Sequence, residues 1–466
     1  MMFTRTKSLA VIALLMTVLV TVVVLTACAG AAPTAAPQPA APAATTAPEP
    51  TKAPAAPAAT EIHVVFQTGG DIIPANDNKD ALVSQGISAS LEEIPGESLY
   101  EKLMTEFVSQ SGAYDLVEFY PTWLGGFAEA GYIQPLDDYF TKYAADVKPD
   151  DYLQGVQNGA SVWKGKRYGI PYDGDVLIFY YRKDLFEDAK NKDEFKAKFG
   201  YDLAAPETWD QVLQMAEFFD GRNGMDGIAM VSSRLWWATG YWSSVYYAYG
   251  GKFIDEQTGE IQLDCDAWNK ANDVWLKMIK YAPDGVLNYG YTETKEALAQ
   301  GKVAMGLQWA TTVFLDPRQS VVGDKLGFVV MPGVKQADGT VLHTPPLAVG
   351  KVLAIPVSSK HPEEAFKFGS MLSSTPVQVQ ATVGGTGIDP NRASVFEDAS
   401  VKKVWAGMMP VYRESLNIGV PDIRVPDSAK YYDVISGELS AVWSATKDSD
   451  AACKATLDEW HKIAGK

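Results

Sequence analysis

Histidine is scarce in this chain, with four copies, and cysteine scarcer, with three. Only His343 and His361 lie between residues 64 and 460, and no His-Glu-x-x-His occurs, so a zinc hydrolase has no ligands to build on. There is no Gly-x-Ser-x-Gly nucleophile turn and no Gly-Lys-Ser/Thr phosphate loop. Ser161-Val-Trp-Lys164 has the spacing of a penicillin-binding Ser-x-x-Lys, but neither Ser-Asp-Asn nor Lys-Thr-Gly accompanies it. Asp220 to Gly227 is rich in glycine and aspartate yet fails the spacing of a calcium loop, which leaves turn chemistry. No catalytic residue, metal or cofactor is expected. Basic charge is short as well: 40 Lys and Arg stand against 57 Asp and Glu, a net charge of −17. A body that acidic repels phosphate backbones and anionic lipid heads, which excludes nucleic acid as a partner.

What the chain does have begins with an export signal. Arg5 and Lys7 precede an apolar core from Leu9 to Leu25, which ends in Leu25-Thr26-Ala27-Cys28. Leu-x-Ala-Cys resembles a bacterial lipobox, which makes Cys28 the expected lipidation site and the lipid the membrane anchor. An uncleaved membrane-spanning anchor is the other reading, since the apolar run is nearly long enough to cross. Losing residues 1–28 takes the net charge from −17 to −19. Residues 29–60 are almost entirely Ala, Pro and Thr, too poor in bulky apolar groups to fold, and read as a semi-extended tether. Of the other cysteines, Cys265 and Cys453, an export compartment permits a bridge. Two cysteines so far apart are more often buried small hydrophobes, and the pattern leaves their pairing open.

From Glu61 onward strands alternate with helices. Ile62–Gln67, Ser84–Glu93 and Tyr114–Phe119 read as strands, and Leu99, Leu103 and Phe107 give a helix over Ser98–Val108. This alternation predicts an α/β fold with mostly parallel sheets flanked by helices, whose ligands sit beyond the strands' carboxyl ends. Val176 to Tyr181 is an unbroken apolar run of the length of a strand buried on both faces. Just before it, Asp173 and Asp175 straddle Gly174. They serve either as turn residues or as carboxylates at the mouth of a crevice. Thr208-Trp209-Asp210-Gln211 has the form of a capping box opening a helix. Residues 236–249 hold seven aromatic rings, more than one core face needs, so some are expected to line a site or lie exposed. Val303 to Leu307 reads as a strand leading into Trp309, and Val349 to Ile355 as a further one.

Six blocks, in order, resemble the extracellular solute-binding proteins of bacterial ABC importers, in the carbohydrate-binding group. They are residues 112–140 (GAYDLVEFYPTWLGGFAEAGYIQPLDDYF), 163–188, 205–219 (APETWDQVLQMAEFF), 297–312, 359–374 and 425–443. The resemblance implies a monomeric two-lobed periplasmic-binding-protein-like fold joined by three crossover segments, near 174–182, 344–355 and 384–398. The N-terminal lobe would hold 61–176 and 350–398, and the C-terminal lobe 177–349 and 399–466. It implies a lipid-anchored receptor that captures a sugar or oligosaccharide between closing lobes and hands it to a membrane permease. His343-Thr344-Pro345-Pro346 departs from the Gly-rich approach common in that family at the second crossing.

A sugar ring has an apolar C–H face and an edge of hydroxyls, so it is held by flat aromatic rings and by carboxylates. The expected ligand-binding set is Tyr120, Trp123, Trp237, Tyr241, Trp309 and Tyr431 for stacking, with Asp173 and Asp175 for the edges. Gly385 and Thr386 are expected to offer backbone N–H groups. A secreted glycoside-active enzyme is the rival reading, because Asp173 and Asp175 are a carboxylate pair of the kind glycosidases need. Cys28→Ser is expected to leave the protein unlipidated and shift it from the membrane fraction to the medium, read by fractionation and blotting; unchanged anchoring refutes the lipobox reading.

Overall fold

The computed structural model describes residues 59–235, 238–310, 319–344 and 350–465. The export signal with Cys28, nearly all of the tether, Trp237 and Pro345-Pro346 lie outside the described residues.

Two sheets carry the fold. Their strands, in chain order, are β1 (Thr60–Gln67), β2 (Ile87–Ile94), β3 (Leu116–Phe119), β4 (Ile170–Pro171), β5 (Leu177–Arg182), β6 (Asp226–Ala229), β7 (Val303–Trp309), β8 (Leu326–Val329) and β9 (Val352–Ala354). The first sheet has the order β2-β1-β3-β9-β4 and the second β8-β5-β7-β6. The pairs β1–β2, β1–β3 and β6–β7 are parallel; the crossover strands β9 and β5 run antiparallel to their neighbours. Each sheet thus runs mostly one way, as expected, with a single crossover strand, β9 or β5, against the rest. The reason lies in the crossings. β5 and β9 each start at the edge where other strands end, so they must run the opposite way.

Local signals explain the elements. Helix α1 (Gly96–Ser109) buries Leu99, Leu103 and Phe107 along one stripe. Lys164 and Gly165 take positive φ, 45° and 80°, and join a two-residue hairpin between Val162–Trp163 and Lys166–Arg167. Val176 to Tyr180 are fully buried, because β5 is an inner strand between β7 and β8. Helix α2 (Trp209–Phe219) starts on the expected capping box, with Thr208 accepting from the Gln211 N–H and the Gln211 side chain accepting from the Thr208 N–H at 3.1 Å.

Trp236 and Trp237 of the aromatic segment lie outside the described residues, and Tyr249 is half-buried. Helix α3 (Ala238–Ala248) is buried at every residue, so the rings it carries are core. It is packed from several sides at once. Trp242 stacks on Tyr246 at 5.1 Å and meets Trp268 of α4 (Cys265–Ile279) edge-on at 4.9 Å, while Tyr246 stacks on Phe253 at 4.8 Å. Among the described residues no helix is long and apolar enough to cross a membrane.

Cys265 and Cys453 form a disulfide, which overturns the preference for two buried thiols. The bridge ties the start of α4 to a helix near the C-terminus (Ser449–Ile463) across 188 residues of sequence. Such closure restricts the unfolded chain most when the loop is long. Cys453→Ala is expected to lower stability by about 2–5 kcal/mol, measured by denaturant unfolding against the parent. A change within error would show the bridge to be dispensable.

Candidate functional site

The site arises from one shared edge. β1 ends at Gln67 and runs into Thr68-Gly69-Gly70-Asp71; β3 ends at Phe119 and is followed by Tyr120; β4 ends at Pro171 and is followed by Tyr172-Asp173. β9, running the other way, starts just after Lys351. All four arrive at the same rim of the first sheet. On the second sheet β7 ends at Trp309, paired with Leu177 at the start of β5. Between the rims lies a cavity of about 380 Å³, lined by Asp71, Tyr120, Asp173, Asp175, Trp309 and Lys351 among others. That volume is in the range of small-molecule sites.

The crossing Asp173-Gly174-Asp175 is knitted to the other two. The backbone N–H groups of Tyr172 and Asp173 donate to the Lys351 carbonyl at 3.0 and 3.1 Å. The Gly174 N–H donates to the Asp389 carbonyl at 3.3 Å, and the Asp389 N–H donates to Asp173 Oδ1 at 2.8 Å. A Cβ on Gly174 would lie 2.5 Å from the Pro390 carbonyl oxygen, and one on Gly350 only 1.8 Å from that of Asp173, so the crossing segments approach as only glycine permits. Asp173 thus satisfies a turn role and faces the cavity at once.

Charge is concentrated here. Lys351 Nζ pairs with Asp71 Oδ2 at 2.9 Å and lies 4.5 Å from the centre of the Tyr120 ring. Glu118 on β3 is fully buried behind them; its Oε2 accepts from the Gln67 N–H at 2.8 Å and its Oε1 has no partner. Burial, then the Asp71 charge, holds the Glu118 carboxyl well above the usual range. Burial pushes Asp173 up to about 7 against the pull of Lys351. Asp175, through burial and then Asp173, and Asp389, through burial and then Asp175, are also held well above it. Asp175 Oδ1 is buried without a hydrogen-bond partner. Tyr291, next to them, is pushed up to about 12 by burial. Among the described residues no group of three or more His, Cys, Asp or Glu has metal-binding geometry.

The cavity continues past Gln67, Thr68 and Tyr120 into a wider one of about 770 Å³. Trp123, Tyr100 and Tyr432 line this second part, with Trp123 held edge-on by Tyr100 at 5.0 Å and Tyr120 at 5.5 Å. The structure therefore brings together Tyr120, Trp123, Asp173, Asp175 and Trp309. Tyr241 sits one layer deeper: it is fully buried, hydrogen-bonds Gln308, and meets the Trp309 ring edge-on at 5.4 Å. Tyr431 points elsewhere. It packs edge-on against Trp460 at 5.4 Å, and its neighbour Tyr432 faces the cleft, because successive residues of a helix lie about 100° apart. Gly385 and Thr386 offer no free N–H groups: both close the end of the helix Thr375–Gly384 by donating to the Ala381 carbonyl. Gly387 lines the cavity in their place.

Asp71, Glu118, Lys351 and Asp389 were not singled out from the sequence. One signal was available: Glu118 is a carboxylate inside an otherwise apolar strand, Leu116–Phe119. Asp173 and Asp422, the latter also pushed to about 7 by burial, bind protons more tightly folded than unfolded, where an aspartate titrates near ~3.9. Their stabilisation is complete below roughly pH 4 and is lost as pH rises through about 7. Melting temperature measured across this window should fall with rising pH, and less steeply in Asp173→Asn; an identical slope in the variant refutes the assignment.

Residues 82–379 match the family model described as "Bacterial extracellular solute-binding protein". A mannitol-binding protein of Pseudomonas aeruginosa is 25% identical over 414 residues, covering 81% of this chain and 89% of its own length. In structure, a solute-binding protein of Agrobacterium radiobacter in complex with ribitol aligns at a TM-score of 0.73 with 21% identity, over 87% of this chain and 99% of that one. A maltose-bound protein of T. maritima aligns at 0.70 with 21% identity, over 86% and 99%. These neighbours share the two-lobed fold, and with the family match extending over well over half its length, this chain belongs to the bacterial extracellular solute-binding proteins.

Proposed function

We propose that this protein is the receptor of an ABC importer, capturing a sugar or polyol between its two lobes outside the cell and delivering it to a membrane permease. The observation that carries the reading is the meeting of the Trp309 ring with Asp173, Asp175 and Lys351 in one cavity at the crossing of the two sheets. An indole face suits the C–H face of a sugar, and carboxylates and an ammonium suit hydroxyls, which both donate and accept. The names of the mannitol-binding relative and of the ribitol- and maltose-bound structures support the same ligand class.

Cys28 carries the lipid anchor in this reading, and the Ala/Pro/Thr tether lets a monomeric body leave the membrane and return to it. The lobes are 61–176 with 350–398, and 177–349 with 399–466. They close about the crossings at Gly174, Gly350 and Asp389-Pro390, a hinge movement about a few segment-terminal residues. Glycosidase chemistry is not part of the reading, since the family match is to binding proteins.

A thermal-shift screen against hexitols, pentitols, mono- and oligosaccharides should find a stabilising ligand. Calorimetry with that ligand should then show Trp309→Ala and Asp175→Asn each weakening binding by roughly ten- to a hundredfold, the equivalent of about 1.5–3 kcal/mol for a buried ring or a bond to a charged group. Parental affinity in both folded variants would put the site elsewhere.

A further inference from the structure

The charge of the cleft does not balance. Among the described residues lining the cavity of about 380 Å³, Lys351 is the one cation, and it is already paired with Asp71. Three further aspartates face the same space: Asp173 and Asp175 from the first crossing and Asp389 from the third. Asp173 accepts the Asp389 N–H, and Asp389 is only 5% exposed while the lysine facing the same space is already held by Asp71. Asp175 Oδ1 is buried without a hydrogen-bond partner. Behind them Glu118 adds another buried acid, and the remaining polar neighbours, Tyr120, Tyr291 and Tyr412, bring no positive charge. Buried carboxylates are as a rule paired or hydrogen-bonded. Here Asp175 keeps one oxygen unpartnered, the lysine lining the cavity is already held by Asp71, and the described residues offer no geometry for a metal ion.

Resting on the carbohydrate reading above, we propose that the solute is a cationic one, an amino sugar or amino-polyol whose protonated nitrogen sits against Asp175 and Asp389 while its hydroxyls meet Asp173 and Lys351. An ammonium group supplies up to three donors and a full charge to carboxylates whose neighbouring lysine is already held by Asp71. A hydroxyl supplies one donor and leaves the carboxylates' mutual repulsion in place. That repulsion is visible in the way Asp175 raises the affinity of Asp389 for a proton, and Asp173 that of both. A charge-assisted contact is roughly twice as strong as a neutral one.

The test uses matched pairs on the full mature protein: D-glucosamine against D-glucose, and an aminodeoxymannitol against D-mannitol, titrated calorimetrically at pH 7 and pH 5. The amine of at least one pair is expected to bind ten- to a hundredfold more tightly than its neutral counterpart at pH 7. That advantage should shrink at pH 5, where the carboxylates gain protons and lose the charge that attracts it. In Asp389→Asn and Asp175→Asn, checked for folding by circular dichroism, the ratio of amine to neutral affinity should fall towards one. Equal or weaker binding of the amine, with the neutral sugar bound, overturns this inference and leaves the carbohydrate reading standing. An amine advantage that survives both substitutions overturns the placement of the nitrogen. Failure of every carbohydrate, charged or neutral, overturns the carbohydrate reading itself.

Discussion

The contact on which the rest of the structure depends is the one between Asp173 and the backbone of Asp389. Through it a carboxylate on the first crossing holds the third, while the Lys351 carbonyl on the second accepts from Tyr172 and Asp173. The three segments that link the lobes are thereby laid side by side, and the Tyr412 hydroxyl, 2.6 Å from the Gly174 carbonyl and 3.0 Å from that of Pro390, clasps two of them together. Glycines at 174 and 350 allow the approach, since a side chain at either would overlap a neighbouring carbonyl. The segments that link the two sheets are consequently also the lining of the cavity between them.

Holding so many acids in one place runs against stability. Glu118, Asp173, Asp175 and Asp389 are each pushed towards their neutral forms by burial and then by neighbouring carboxylates, with one ammonium to offset them. Strain of this kind at a binding site is balanced by order elsewhere. The fully buried helix Ala238–Ala248 supports Trp309 from beneath through Tyr241, and Arg424 ties distant segments together by donating to the carbonyls of Asn158, Gly159 and Val162 while pairing with Glu256 at 2.6 Å. A rigid floor under a charged, half-solvated rim is the arrangement a receptor needs if it is to be pre-organised for a polar solute and to close over it.

The sequence by itself determined the pieces. The capping box at Thr208 and Gln211, the stripe Leu99-Leu103-Phe107, and the buried run Val176–Tyr180 are contacts between near neighbours or direct consequences of one element's periodicity, and each is as its pattern implies. The strand-end rule also placed Tyr120, Trp123 and Trp309 at a crevice, because each follows a recognisable strand or ends one. What only the tertiary structure decided is which of these face one another. Asp71, Lys351 and Asp389 join Asp173 from points 102, 178 and 216 residues away in sequence, a convergence that no local pattern encodes. The choice of Tyr432 over Tyr431 is a matter of helix rotation, and the use of the Gly385 and Thr386 N–H groups depends on where a helix happens to end. Cys265 and Cys453 pair because two helices pack together, not because of their spacing. Local geometry follows from the order of residues, but a site of this kind is made by long-range packing.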